Sequence, residues 1–435
     1  MKNNRSIIIA LGMVLLLFFV FGFTPAEQKT PIPISYIGNF SQPWGKSGLA
    51  AARLAVEEIN AAGGIAGRPL NLLSSDNNGQ VPLTVEAYKK AVITDGSLII
   101  FTEGSEGVLA CQIAGAMLFK EFPHIQIGVW TNADSVTDRV AENPDKFKFF
   151  FRASGQMRLN TQIYINSWAK LYRDRGYKKI AILLEDAEWT TCLLKGDPPR
   201  GILPLKAQWE KLGFQVSYTA DVPLTETMWL PILEDVASSG AQAICMFAVY
   251  GDAVSLAKQW VQSAAKNIVI CINGGVSSLG QPFWDMTGGA ALGWVSGALS
   301  NPDLEITDKT RPFFTKLMKE YRVGGLENSY MTYEAIYFMR RVIEKVGNTQ
   351  DIAAIIKKAE TIKTPGVVGT IKFDAQSHSR YYLVKGDGYP YNTIWNTQYQ
   401  KGGALVTISP QIVADKTNRG TGFVEVAKLR EESAR

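Results

Sequence analysis

Leu54-Ala55-Val56-Glu57-Glu58-Ile59-Asn60-Ala61-Ala62-Gly63-Gly64-Ile65-Ala66-Gly67-Arg68-Pro69-Leu70 is the stretch that decides the architecture. Its first half carries apolar residues at helical spacing, and the pattern predicts a helix over 48–62 that the Gly63-Gly64 pair stops. Leu70 opens a strand predicted over 70–74, and the β-rich run 32–38 precedes the helix. Strand, helix, strand in that order is a βαβ unit, because parallel neighbours need a crossover between them.

The same alternation continues outward. Helices are predicted at 84–94 and 107–122, with strands at 98–101 and 125–129. A second round follows residues 147–152, with helices at 160–173, 203–212, 229–238 and 252–264 and strands at 179–184, 215–218, 243–247 and 268–272. Further helices are expected at 312–321, 330–346 and 351–361, and strands at 367–372 and 381–385. Residues 401–435 carry less pattern and read as a surface extension. The short strands are almost wholly apolar, as they must be when helices cover both faces of a sheet. The fold class is therefore α/β, with two doubly wound parallel-sheet lobes.

Composition agrees. With 435 residues, 46% hydrophobic and 20% charged, the chain is neither disordered nor a disulfide scaffold, and its length suits two or three domains. The net charge of +5 comes from scattered residues, which argues against a nucleic-acid surface. Lys2 and Arg5 precede an apolar run from Ile7 to Phe23, then Thr24-Pro25-Ala26, the layout of a secretory signal peptide cleaved near Ala26. An uncleaved anchor is the alternative. No cysteine follows the run to accept a lipid, so the mature protein is expected to be periplasmic and not a lipoprotein. Export places Cys111, Cys192, Cys245 and Cys271 where two bridges in three pairings are permitted, although Cys245 and Cys271, inside apolar runs, read as buried free thiols.

Motifs of catalysis are missing. Gly45-Lys46-Ser47 resembles the end of a phosphate loop, but Phe40 stands where its first glycine is required. No GxGxxG follows a strand, and Gly275-Val276-Ser277-Ser278-Leu279 breaks the nucleophile-elbow pattern at its last position. His124 and His378, the two histidines, read as surface residues. No cofactor or metal site is indicated, and no nucleophile with a base emerges.

What remains is a set of strand ends rich in small polar and aromatic residues, which in an open parallel sheet is where ligands bind. These are Trp44-Gly45, Thr102-Glu103-Gly104-Ser105, Trp130-Thr131-Asn132, Glu185 to Trp189, Tyr250-Gly251-Asp252 and Asn273-Gly274-Gly275. Trp44, Trp189 and Tyr250 would wall a cleft between lobes. Helix capping is the plainer reading for Ser105 and Asp252, and rim packing for the tryptophans.

The stretch quoted first, followed by Asp76, resembles the signature of periplasmic solute-binding proteins of the branched-chain amino acid type that feed ABC importers. Phe150-Phe151-Arg152, Tyr250-Gly251-Asp252 and Gly369-Thr370-Ile371-Lys372-Phe373-Asp374 agree with it, and the resemblance covers residues 32 to about 385. It implies the type I periplasmic binding fold, with three crossing strands joining the lobes. Carried over, residues 1–26 are the signal peptide, 31–152 plus 298–366 lobe one, 153–297 plus 367–410 lobe two, and 411–435 a C-terminal extension. It further implies a monomer that captures a small solute and hands it to the membrane permease and ATPase subunits of an importer; a sensor acting through a partner receptor is the alternative. The candidate ligand set from the strand ends is Trp44, Gly104, Ser105, Trp130, Thr131, Trp189, Tyr250, Asp252 and Gly275, and the resemblance implies that Ser105 and Thr131 stand where the family holds a solute carboxylate and Trp44, Trp189 and Tyr250 at its aromatic wall. One departure stands out: where the family's amino-acid binders place an acid for the α-ammonium, this chain reads Asn273-Gly274-Gly275-Val276. Either Asp252, Glu185 or Asp186 substitutes, or the solute is not an amino acid. The signal layout predicts that N-terminal sequencing of the exported protein starts near Glu27; Met1 on a membrane-bound form would contradict it.

Overall fold

The computed structural model describes residues 30–249, 252–298, 306–381, 395–409 and 422–434. Two sheets organise them. The first has five parallel strands in the order β2-β1-β3-β4-β5, made of β1 Ile32–Gly38, β2 Leu70–Asp76, β3 Ile99–Glu103, β4 Ile125–Val129 and β5 Phe150–Arg152. Every residue of β3, β4 and β5 is buried, as the all-apolar runs require. Helices α1 Pro43–Ala61, α2 Val81–Ile93, α3 Ser105–Leu118 and α4 Ser135–Glu142 accompany this sheet. Gly63 and Gly64 take φ of 92° and 76° after α1, the left-handed conformation that ends a helix.

After Arg152 the chain enters the second sheet through α5 Met157–Asp174. Its strands are β6 Lys179–Glu185, β7 Gln215–Val222, β8 Ala243–Phe247, β9 Val269–Ile272 and β10 Val295–Ala298, connected through α6 Leu205–Lys211, α7 Leu230–Ser238, α8 Ala253–Trp260 and α9 Gln281–Thr287. Between Ala298 and Thr310 it returns to the first lobe, where α10 Thr310–Tyr321 and α11 Glu327–Val346 lie against α1, and α12 Ile352–Ala359 follows. The small pair β11 Thr364–Pro365 and β12 Thr370–Ile371 leads back toward the second sheet, which β13 Trp395–Tyr399 and β14 Leu405–Ser409 complete. The order there is β14-β13-β10-β9-β8-β6-β7, antiparallel only where β13 joins β10 and β14.

Several boundaries differ from the sequence reading. Helix α1 starts at Pro43, five residues early, because proline suits the first helical turn; Trp44 and Gly45 are thus helical rather than in a loop. The strand expected at 367–372 shrinks to β12, and of 381–385 only Tyr381 lies among the described residues. The part of the tail described is more than a loose extension: β14 extends the second sheet, and α13 Val426–Ala434 buries Val426 and Leu429 and sets Arg430 over the Trp260 ring at 4.6 Å. All four cysteines are free, with Cys111, Cys245 and Cys271 buried.

Both histidines are buried, a correction to their surface reading. Nε2 of His124 lies 2.6 Å from the Tyr88 hydroxyl and Nδ1 lies 2.6 Å from the Phe122 carbonyl; burial lowers its pKa. His378 belongs to the crossing region, stacked on Phe151 at 4.1 Å and within hydrogen-bond distance of the Phe150 carbonyl and Glu360. Beside it the Arg152 N–H donates to the His378 carbonyl and the Arg380 N–H to the Arg152 carbonyl. The Arg380 guanidinium meets Glu334 at 2.7 Å with side-chain exposures of 0% and 1%, and Glu334 also accepts the Val368 N–H at 2.9 Å. A charge this deep tolerates no loss of its partner. Glu334→Gln is expected to cost about 3–5 kcal/mol by denaturant unfolding, whereas Glu344→Gln, which breaks the more exposed pair with Arg340, should cost under about 1 kcal/mol. Equal losses would contradict the buried-pair assignment.

Candidate functional site

The carboxyl ends of β3 and β4 set the first wall. Gly104 turns the chain at φ 78° into α3, whose first residue is Ser105. Past β4, Trp130 adopts φ 50°, a left-handed conformation costly for a bulky side chain and held only where its surroundings enforce it. Here they do: Thr131 N–H donates to Ser154 Oγ at 3.1 Å and Ser154 Oγ donates back to the Thr131 carbonyl. Ser105 Oγ accepts from Thr131 Oγ1 at 3.3 Å and from Ala133 N–H at 3.2 Å. The Trp130 ring is thereby fixed 5.0 Å from the Trp44 ring.

Trp130 stands between two spaces. One is a narrow interlobe slit of about 10 Å³, lined by Ser105, Trp130 and Asn132 from the first lobe and Trp189 and Val249 from the second. Of the residues lining it, Trp189 and Asn132 each carry a buried polar atom, Nε1 and Oδ1, with no hydrogen-bond partner among the described residues. The other is an annex of about 480 Å³ against the first lobe, lined by Trp44, Trp130, the side chains of Asn39, Gln42, Asn77, Asn78, Glu103 and Glu106, and Leu224 from across the cleft. Glu103 is buried and accepts from Tyr36 Oη at 2.7 Å, Asn39 N–H at 2.6 Å and Asn328 Nδ2 at 2.7 Å. Burial raises its pKa, against the three donors that favour its charged form.

The lobes meet around these spaces. Glu188 N–H donates to Glu106 Oε1 and Ser135 Oγ to Glu188 Oε1, both at 3.1 Å. Asp138 of the first lobe pairs with Arg158 at 2.8 Å and Arg200 at 3.1 Å, and both arginines also face Asp197.

The structure thus gathers Ser105, Trp130 and Trp189 at the slit and Trp44 and Gly104 at the annex. Thr131 is buried behind Ser105 and lines neither. Gly275 takes φ 66°, and a Cβ there would touch Val249 of the slit wall. Asp252 caps α8, accepting from Ser255 N–H at 2.9 Å and Ser255 Oγ at 2.6 Å. Tyr250 lies outside the described residues. Of the acids offered as an ammonium partner, Asp186 is exposed, while Glu185 is buried and accepts the Val249 N–H at 3.0 Å beside the slit. Sequence reasoning missed Asn132 and Val249 as lining residues, and missed Glu327 of α11, whose carboxylate sits 3.5 Å from where a Cβ on Gly274 would stand. A larger cavity of about 550 Å³ on the first lobe, between α1, α10, α11 and β11–β12, lies away from the strand ends; its Glu58 is already held by Lys316, Tyr333 and Tyr337.

Two parallel-sheet lobes with a polar and aromatic gap between their strand ends define a solute-binding class of fold, and the sequence matches the periplasmic binding protein family over residues 32–388. The chain belongs to that family. It is 27% identical over 288 residues to a Leu/Ile/Val-binding protein homolog 7 of Brucella melitensis biotype 1, covering 65% of this chain and 66% of the relative. Against the Brucella abortus (strain 2308) protein of the same name it is 27% identical over 270 residues, covering 60% and 63%. The match therefore spans just under two thirds of these relatives' length. Among solved structures, the solute binding protein of an ABC transporter from Rhodopseudomonas palustris BisB5, in complex with 3,4-dihydroxy benzoic acid, superposes with a TM-score of 0.69 at 17% identity, covering 86% of this chain and 95% of that one. The branched-chain amino acid transporter substrate binding protein LivJ from Streptococcus pneumoniae, in complex with isoleucine, gives 0.67 at 17% identity, covering 86% and 97%. These likenesses establish the type I fold.

Proposed function

We propose that the protein is the extracytoplasmic solute-binding component of an ABC importer, capturing a small solute in the interlobe cleft and delivering it to the permease and ATPase subunits. The observation that carries this reading is the slit itself: two lobes joined by crossings close on a gap lined by Trp189 and Asn132, whose buried indole N–H and amide oxygen have no partner among the described residues. Such groups are costly to leave unmade, so a ligand offering one acceptor and one donor is stabilised there. Hinge closure around it produces the surface a permease reads. The relatives' names and the neighbours' ligands support a solute among amino acids, amides and aromatic or apolar carboxylates. The protein works as a periplasmic monomer exported by its signal peptide, and it releases the solute chemically unchanged.

The test begins with a thermal-shift screen of those three classes. For the solute found, Trp189→Phe keeps the ring but removes the N–H, and should weaken binding about two- to tenfold, the worth of one hydrogen bond. The melting temperature of the free protein should hardly move, since no bond within the chain is lost. Unchanged affinity, or a variant that fails to fold, would contradict the role given to this indole.

A further inference from the structure

The charged contacts at the lobe rim form a closed ring of alternating sign. Asp138, on α4 of the first lobe, takes both prongs of the Arg158 guanidinium, Nη1 to Oδ2 at 2.9 Å and Nη2 to Oδ1 at 2.8 Å. That two-pronged geometry is the strong form of an arginine–carboxylate pair. Asp138 Oδ1 also accepts from Arg200 Nη2 at 3.1 Å, and Asp197 completes the ring, 2.9 Å from Arg200 Nη1 and 3.5 Å from Arg158 Nη1. Two carboxylates balance two guanidinium groups.

The members differ in how they are held. Arg158, the second residue of α5, is tied to the first lobe twice, because its backbone N–H also donates to the buried Asp134 carboxylate at 3.1 Å. It is a fixed post beside the joint at Arg152. Asp197 and Arg200 belong to the second lobe, on a short turn between β6 and α6 shaped by Arg200 N–H to the Asp197 carbonyl and Asp197 N–H to the Ile202 carbonyl. The Arg200 side chain is 41% exposed and reaches the first lobe only at Asp138. Parting the ring at this turn breaks the Arg200–Asp138 and Arg158–Asp197 contacts, but leaves Asp138 with Arg158 and Asp197 with Arg200. No charge is stranded, unlike the buried Glu334–Arg380 pair. None of the four residues lines the slit or the annex, so the ring acts on the lobes and not on a solute. Ser135, on the same helix as Asp138, meets Glu188 of the second lobe as well, so α4 faces that lobe at two points.

We propose that Asp197 and Arg200 are an electrostatic clasp that fastens the second lobe to the Asp138–Arg158 post when the cleft closes, and that this clasp sets how long a captured solute stays bound. Only its second half rests on the solute-binding reading above.

Small-angle X-ray scattering of the solute-free full chain at low and high salt tests the first half. Arg200→Gln should raise the open population about two- to fivefold at low salt, the worth of a partly exposed ion pair. High salt should widen the wild type in the same direction by screening the clasp. Arg200→Lys keeps the charge and should restore most of the closure, while Arg340→Gln, which breaks a pair within α11, should change nothing. Titration and stopped-flow with leucine, benzamide and benzoate test the second half: for a probe that binds, Arg200→Gln should raise the off-rate by the same factor and leave the on-rate alone. Scattering indifferent to Arg200→Gln or to salt, an equal shift from Arg340→Gln, or an unchanged off-rate overturns the proposal. Scattering that responds to Arg200→Gln while none of the three probes binds supports the clasp and counts against the solute reading alone.

Discussion

A parallel sheet covered by helices on both faces has only its two strand-end edges left for polar chemistry. Here that constraint applies twice, and everything functional follows from it. Strands β3, β4, β8 and β9 are buried along their whole length, so a solute can meet only the end of a strand, as at Glu103 of β3, or the residues that follow it. The residues that then appear, Gly104-Ser105, Trp130 to Asn132, and Val249, are those that line the gap. Trp130 in a left-handed conformation shows how tightly the exit from β4 is specified, with the Thr131, Ser154 and Ser105 bonds around it helping to hold so bulky a residue there.

The crossing region imposes a second requirement. Arg152, Arg380, Glu334 and His378 are buried together where the two lobes join, with the Arg152 and Arg380 backbones bonded between crossing segments and the Glu334 carboxylate accepting the Val368 N–H. A buried pair of this kind is a weak source of net stability but a strong determinant of arrangement, because any shift strands a charge. The interlobe contacts farther out, with Asp138 between Arg158 and Arg200, are more exposed and correspondingly cheaper to break. Rigid joint and separable rim together suit lobes that open and close.

Much of this was legible in the sequence because βαβ alternation is written in local pattern. Ile125–Val129 and Ala243–Phe247 coincide with their predicted ranges, and the helix stop at Gly63-Gly64 is where it was placed. Less was legible where tertiary context decides. Helix α1 begins at Pro43 and carries Trp44 toward the annex, a matter of helix-start preference that the strand-end rule overrode. His124, at a Pro-flanked loop before a strand, and His378, in a polar turn, are nevertheless buried, beside Tyr88 and Glu360. The antiparallel β13 and β14, and the tail helix on the second lobe, follow from edge pairing with β10 rather than from any periodicity. Of the candidate site residues, Ser105, Trp130 and Trp189, named for their strand-end positions, line the slit. Asn132 was quoted but not chosen, and Glu327 gave no signal because it stands on α11, far along the chain from the Gly274 it approaches.

The central claim is that the gap between strand ends retains a small molecule without altering it. Native mass spectrometry of the exported protein, purified without denaturation, measures this most directly. The account predicts one non-covalent small-molecule adduct per chain, released intact on unfolding and absent from Trp189→Ala. An adduct that survives in that variant, or a released product that differs from the molecule supplied, would contradict it.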